Sequence, residues 1–171
     1  AIQSLVRGHS REPKVVRIAQ RVVAGPPLVD QVYYEVRHHA KFNALSRLID
    51  FYDVKSGVIF CNTQQMVEEL ADALMARGCS AERIHGGMAQ AQRTRVMNTF
   101  KRAGFSFLVA TDVAARGIDV NGLELVVNYD LPYDAEDYVH RIGRTGRAGR
   151  TGRAVTLVTG AGIGKLQSIE R

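Results

Sequence analysis

The segment Arg141-Ile-Gly-Arg-Thr-Gly-Arg-Ala-Gly-Arg-Thr-Gly-Arg153 sets an arginine and a glycine at every third position. Glycine at that period is the mark of a collagen helix, but the run is short and holds no proline, so a triple helix is excluded. A flexible basic linker does not fit either. A helix signal stands just before the segment, with Asp134 as its cap, and a strand signal, Ala154 to Val158, stands just after it. The remaining reading is a loop at the carboxyl edge of a sheet that presents guanidinium groups. Glycine lets the backbone turn and approach a ligand closely. Arginine supplies a permanently charged planar fork matched to phosphate oxygens.

The charge balance agrees. The 171-residue chain carries a net charge of +6, and the segment alone contributes five positive charges and no acid, which leaves +1 elsewhere. Basicity gathered in one place points to a phosphate-bearing partner. Hydrophobic residues make up 46% and charged residues 23%, the composition of a globular domain with a substantial core. No apolar run approaches the roughly 18 residues needed to span a membrane. Cys61 and Cys79 form no metal-site pattern and read as reduced thiols of a cytoplasmic protein.

Working outward from the arginines, strand-like and helix-like stretches alternate from about residue 31. Expected strands are Val32 to Val36, Gly57 to Cys61, Cys79 to Ile84, Phe105 to Ala110, Leu123 to Tyr129 and Ala154 to Val158. Between them, Ala40 to Tyr52, the stretch after Asn62, Gln90 to Ala103 and Asp134 to Ile142 show helical spacing. Asn62 is the expected cap of the second of these, and Gly78 its stop. Such alternation implies right-handed crossovers and a parallel sheet covered on both faces. Ligands of such sheets bind beyond the carboxyl ends of the strands. Residues 1 to 27 stand outside the alternation. Val15 to Ile18 has strand character, and Gly25-Pro26-Pro27 reads as a linker. His38-His39 has no partner in the sequence and reads as a loop before a helix.

Five segments carry a family resemblance. Tyr138-Val-His-Arg-Ile-Gly-Arg-Thr-Gly-Arg147 resembles motif VI of the DEAD-box RNA helicases. Val109-Ala-Thr-Asp-Val-Ala-Ala-Arg-Gly-Ile-Asp-Val120 resembles motif V, and Val58-Ile-Phe-Cys-Asn-Thr63 is similar to motif IV. Gln90-Ala-Gln-Arg93 fits the Gln-x-x-Arg element, and Ile84-His85-Gly86 fits the short segment before it. The order and spacing are those of the family over roughly residues 28 to 160.

The resemblance implies a RecA-like parallel sheet with helices on both faces, and a role for each matching residue. Arg144 and Arg147 match the catalytic arginines that reach the γ-phosphate of ATP, Arg147 in the arginine-finger position. Gly117 and Asp119 match the ATP-binding positions, with Asp119 at the ribose hydroxyls; the alternative for Asp119 is a solvated loop acid. Thr63, Gly86, Gln90, Arg93 and Thr111 match positions that contact the RNA backbone, and Thr63 and Thr111 can also act as caps. Arg116, His140 and Arg141 match residues that bridge two domains; the alternative for His140 is an ordinary helix histidine near Asp137. Arg150 and Arg153 lie beyond the motif and read as solvated or RNA-proximal.

The family's Gly-x-x-x-x-Gly-Lys-Thr loop, Asp-Glu-Ala-Asp and Ser-Ala-Thr segments do not occur in this sequence. Gly160 to Lys165 is no substitute, because Thr159 and Leu166 stand where a P-loop needs glycine and a hydroxyl residue. The expectation is therefore a second RecA-like domain at 28–171, preceded at 1–27 by the end of a first domain and a linker. Residues 1 to 18, with the strand-like Val15 to Ile18, are expected to have lost their sheet, leaving 1–27 free to mediate a dimer. ATP with Mg²⁺ would be held mainly by the first domain. Two other readings stand beside this one: a module that only binds RNA or dimerises, and the second domain of a superfamily 2 helicase acting on DNA.

Overall fold

The computed structural model describes residues 15–17, 29–115, 123–146 and 151–169. Seven strands form one sheet. They are β1 Val15–Arg17, β2 Val29–Glu35, β3 Gly57–Phe60, β4 Ala81–Ile84, β5 Phe107–Ala110, β6 Leu125–Asn128 and β7 Gly152–Val158. Six helices accompany them: α1 Lys41–Tyr52, α2 Gln64–Ala76, α3 Gln90–Lys101, α4 Asp112–Ala115, α5 Ala135–Ile142 and α6 Ile163–Ile169. Strand order is β1-β2-β7-β6-β3-β5-β4, and every pairing is parallel except that of β1 with β2.

The inner strands are apolar on both sides because both sides are covered. All four residues of β3, β5 and β6 are buried. Period-two alternation then divides them between two cores. Ile59, Phe107, Val109, Leu125 and Val127 pack with Leu45, Leu48, Val67, Leu70 and Leu74 of α1 and α2. Val58, Phe60, Leu108, Ala110 and Val126 pack with Phe100, Ala114, Tyr138 and Ile142 of α3, α4 and α5. Each fully buried Leu, Ile or Val contributes about 1.5–3 kcal/mol of transfer free energy, so these two layers hold the sheet between the helices. α2 ends where expected, with Gly78 at φ 87° just beyond it.

Two expectations about the chain path are corrected. The strand near the N-terminus has not lost its sheet: Val15, Val16 and Arg17 pair antiparallel with Tyr34, Tyr33 and Val32. Hydrogen-bonding capacity on the outer side of β2 makes that edge a ready acceptor for a strand. The described residues that follow α5 in the arginine-glycine segment, 143–146 and 151–153, in turn, do not sit at the carboxyl edge. α5 starts after the carboxyl end of β6 and carries the chain back across the sheet, so the residues after it emerge at the amino end. There Thr145 bridges to Leu123, two residues before β6, and its hydroxyl donates to the Leu123 carbonyl. β7 begins at Gly152, two residues earlier than the sequence suggests. Two of the glycines have a local reason. Gly146 adopts φ 68°, and a Cβ at Gly152 would collide with Thr145 Oγ1 and the Gly146 amide.

Candidate functional site

The carboxyl ends of β3, β4 and β5 gather one group of expected residues. Thr63 is exposed and caps α2, its hydroxyl accepting the Met66 N–H at 3.1 Å. The expected cap, Asn62, is committed elsewhere. Gly86 is exposed in the β4–α3 turn, and a Cβ there would lie 3.6 Å from Gln64 Nε2, next door to Thr63. Thr111 is buried; its N–H donates to the Ile84 carbonyl at 3.4 Å, and its own carbonyl accepts from Ala115. Gln90 opens α3 and is exposed. Ahead of it Ala89 has no side-chain acceptor to offer the first amides of α3, so these donors lack a side-chain cap. Arg93 is half-buried. Its Nη1 donates to Gln90 Oε1 at 3.4 Å, and its Nε is buried with no hydrogen-bond partner among the described residues. Hydroxyls, glycine and helix amides and an incompletely bonded guanidinium thus share one edge, a donor set suited to phosphate oxygens.

Arg141, expected to bridge two domains, has its side chain deep inside this one. Its side chain is 1% exposed. Nε and Nη2 grip the two carboxylate oxygens of Asp112, each at 2.6 Å. Nη2 also donates to Asn62 Oδ1 at 2.9 Å, and Nη1 donates to Asn128 Oδ1 at 3.2 Å and the Asp130 carbonyl at 2.7 Å. A guanidinium has five N–H donors, and all five are engaged inside the domain. Phe60 lies under the guanidinium, with its ring centroid 5.1 Å from Cζ.

The hub extends further. Asp130 takes Lys41 Nζ at 2.8 Å and the Asn62 N–H at 3.1 Å. Asn62 Nδ2 donates to the Leu131 carbonyl, and Asn128 Nδ2 to Thr156 Oγ1. Cys61 lies beneath, its thiol pushed up by burial first and by the Asp130 carboxylate second, which keeps it protonated and unreactive.

Sequence reasoning missed this hub. The available signals were Asn128, fully buried at the end of an apolar strand, and Lys41, buried at the start of a helix. Polar residues in such places need partners.

Arg144 is half-exposed at the amino end of β6, with its N–H on the Arg141 carbonyl and its carbonyl on the Leu123 N–H, both at 3.2 Å. His140 is exposed on α5, as is Val139 beside it. Arg153 is partly solvated, as expected, and lies away from the carboxyl edge: its guanidinium stands over the Tyr52 ring at 4.1 Å and donates to Asp30 at 3.2 Å. Arg116, Gly117, Asp119, Arg147 and Arg150 lie outside the described residues.

The comparisons agree with one another. The family model of the helicase conserved C-terminal domain matches residues 40–149. The DEAD-box ATP-dependent RNA helicase CshA of Geobacillus kaustophilus is 46% identical over 170 residues, covering 99% of this chain and 36% of that protein. The chain thus spans about a third of the length of that curated relative. The solved C-terminal domain of the DEAD-box protein Dbp5 superposes with a TM-score of 0.79 at 33% identity, over 84% of each chain. A Dbp5 variant from S. cerevisiae, bound to RNA and ADP BeF3, superposes with a TM-score of 0.78 at 33% identity, over 85% of this chain and 39% of that one.

Proposed function

Since this chain belongs to the helicase conserved C-terminal domain family and is the second RecA-like domain of a DEAD-box RNA helicase, we propose that it contributes one half of each of two composite sites. One site binds the sugar-phosphate backbone of RNA, and the other hydrolyses ATP. The observation that carries the reading is the convergence of Thr63, Gly86, Gln90, Arg93 and Thr111 on one sheet edge, around uncapped amides and a guanidinium with spare donors. Such groups bind phosphates without reading bases, so recognition would follow backbone shape rather than sequence. The RNA and ADP BeF3 held by the Dbp5 relative support both halves of the reading.

The nucleotide half belongs to the other end of α5. Arg144 and Arg147 would place positive charge against the γ-phosphate, where it stabilises the charge spread over the transferring phosphoryl oxygens. Asp119, with Gly117 beside it, would accept hydrogen bonds from the ribose. Mg²⁺ would be held by ATP and by the first RecA-like domain, as the family resemblance implies. Arg116 and His140 are the remaining candidates for contact with that domain when the two close on each other. The two free cysteines suit work in the cytoplasm.

Arg141 links the two ends. Its side chain holds Asn62 and Asp112, the neighbours of Thr63 and Thr111, while its carbonyl holds the Arg144 N–H. A shift in the RNA-side loops would thus reach the nucleotide-side arginine through one residue.

The test is steady-state ATP hydrolysis, with and without RNA, by this chain and by a two-domain protein that contains it. This chain alone should turn over ATP no faster than buffer. In the two-domain protein Arg147→Ala should slow RNA-stimulated hydrolysis about 10³-fold or more, the scale of arginine fingers elsewhere. Robust turnover by this chain, or a variant within a few-fold of wild type, contradicts the reading.

A further inference from the structure

We propose that His85 is the positioning residue of the RNA face, holding the β4–α3 turn so that the Gly86 amide is its free phosphate donor. The inference rests on the RNA-binding reading above and deepens it.

The turn runs His85-Gly86-Gly87-Met88, and His85 contacts it from both main chain and side chain. Its carbonyl accepts the Met88 N–H at 3.2 Å, and its ring Nδ1 accepts the Gly87 N–H at 3.2 Å. Two of the three amides that follow His85 are therefore turned inward. The third, on the exposed Gly86, has no partner among the described residues, and a Cβ at Gly86 would meet only Gln64, next to Thr63. The free amide thus stands between the cap of α2 and the uncapped start of α3.

The tautomer follows from the donors. An amide N–H can only donate, so Nδ1 must carry a lone pair, and the ring proton sits on Nε2. Nε2 then donates to Glu68 Oε1 at 2.6 Å. Glu68 is held by Arg83 as well, and Arg83 also pairs with Asp72. His85 is 7% exposed, and its ring is strung between the turn and the Glu68 carboxylate of α2. This resembles the way second-shell carboxylates fix the ring of a metal-binding histidine, with a glycine amide in place of the metal.

Two substitutions separate the two ring nitrogens. His85→Asn puts an amide oxygen near the Nδ1 position and can still accept the Gly87 N–H. His85→Gln reaches Glu68 but offers Gly87 nothing. Both remove the same ring, so a merely structural role would weaken both alike.

The experiment measures binding of a fluorescein-labelled single-stranded oligouridine to the 171-residue chain at low salt, with Arg93→Ala as the reference variant. His85→Asn should bind within about threefold of wild type and His85→Gln about tenfold more weakly, the scale of one hydrogen bond to a charged group. Equal losses in the two variants, or His85→Gln binding as wild type does, overturns the inference while leaving the RNA face standing. Wild type that shows no RNA binding, or is matched by Arg93→Ala, overturns the RNA face and the inference with it. A nitrogen-resolved NMR spectrum of the free chain gives a readout without RNA: the Nε2–H form is expected, and the Nδ1–H form overturns the inference alone.

Discussion

Arg93 and Arg141 come from motifs of the same family, yet the regions around them are built on opposite plans. Around Arg141, Asp112, Asn62, Asn128 and the Asp130 carbonyl satisfy every guanidinium donor, and solvent is shut out. Around Arg93 there is one long contact to Gln90 and a buried Nε with nothing to bond among the described residues. An arginine whose donors all close on its own domain holds the fold. One left short of partners at an edge is available to a ligand. Counting donors separates the two where the motif does not.

The largest effect expected from this contrast is on stability at the hub. Arg141→Ala leaves the Asp112 carboxylate, 15% exposed, without its partner, together with the amide oxygens of the buried Asn128 and the half-buried Asn62. Breaking a buried ion pair from one side costs about 3–5 kcal/mol. Urea unfolding should show a loss of that size, whereas Arg93→Ala should stay within about 0.5 kcal/mol of wild type. Comparable losses in both variants would dissolve the contrast.

A smaller effect is expected at Thr63, where cap and ligand roles coincide. Thr63→Ala should lose about 1 kcal/mol of stability with the cap. Thr63→Asp keeps a cap acceptor and should unfold close to wild type, but its negative charge should repel phosphate and weaken RNA binding. RNA affinity unchanged in Thr63→Asp would remove Thr63 from the RNA face and leave it a cap.

The smallest effect is a pH dependence at Glu68. Arg83 first, and His85 second, hold its carboxyl below the ordinary value. A depressed folded-state value means that the stabilisation is complete above the unfolded value of about 4.3 and fades as pH falls through the folded one. The stability gap between wild type and Glu68→Gln should therefore be steady near neutral pH and shrink below about pH 4. Glu68 is 42% exposed, so solvent screening keeps the gap small. A gap that widens on acidification would contradict the pairing.

Much of the fold was legible in the sequence because buried parallel strands leave apolar runs. Val58-Ile59-Phe60 and Leu125-Val126-Val127 can lie only between two helical layers. The direction of the arginine-glycine segment was not legible. Composition shows that guanidinium groups are grouped, but the end of the sheet at which they emerge depends on α5 recrossing it. The site divided in the same way. Residue types at the RNA edge could be named from their motif positions, since hydroxyls and glycines announce themselves. That Asn62 would join the hub while Thr63 takes the cap depends on a guanidinium 79 positions away. Local capping rules see no such partner. The pairing of Val15–Arg17 with β2 is likewise a tertiary event that a short apolar stretch does not declare.

The measurement that tests the central claim most directly is the salt dependence of single-stranded RNA binding by this chain and by Arg93→Ala. About four phosphate contacts on the carboxyl edge predict that log affinity falls against log salt with a slope of roughly −3. Removing the Arg93 contact should bring the slope closer to zero by about 0.7 and lower the affinity at every salt concentration. Binding indifferent to salt, or an Arg93→Ala slope and affinity equal to wild type, would contradict a phosphate-binding edge at this place.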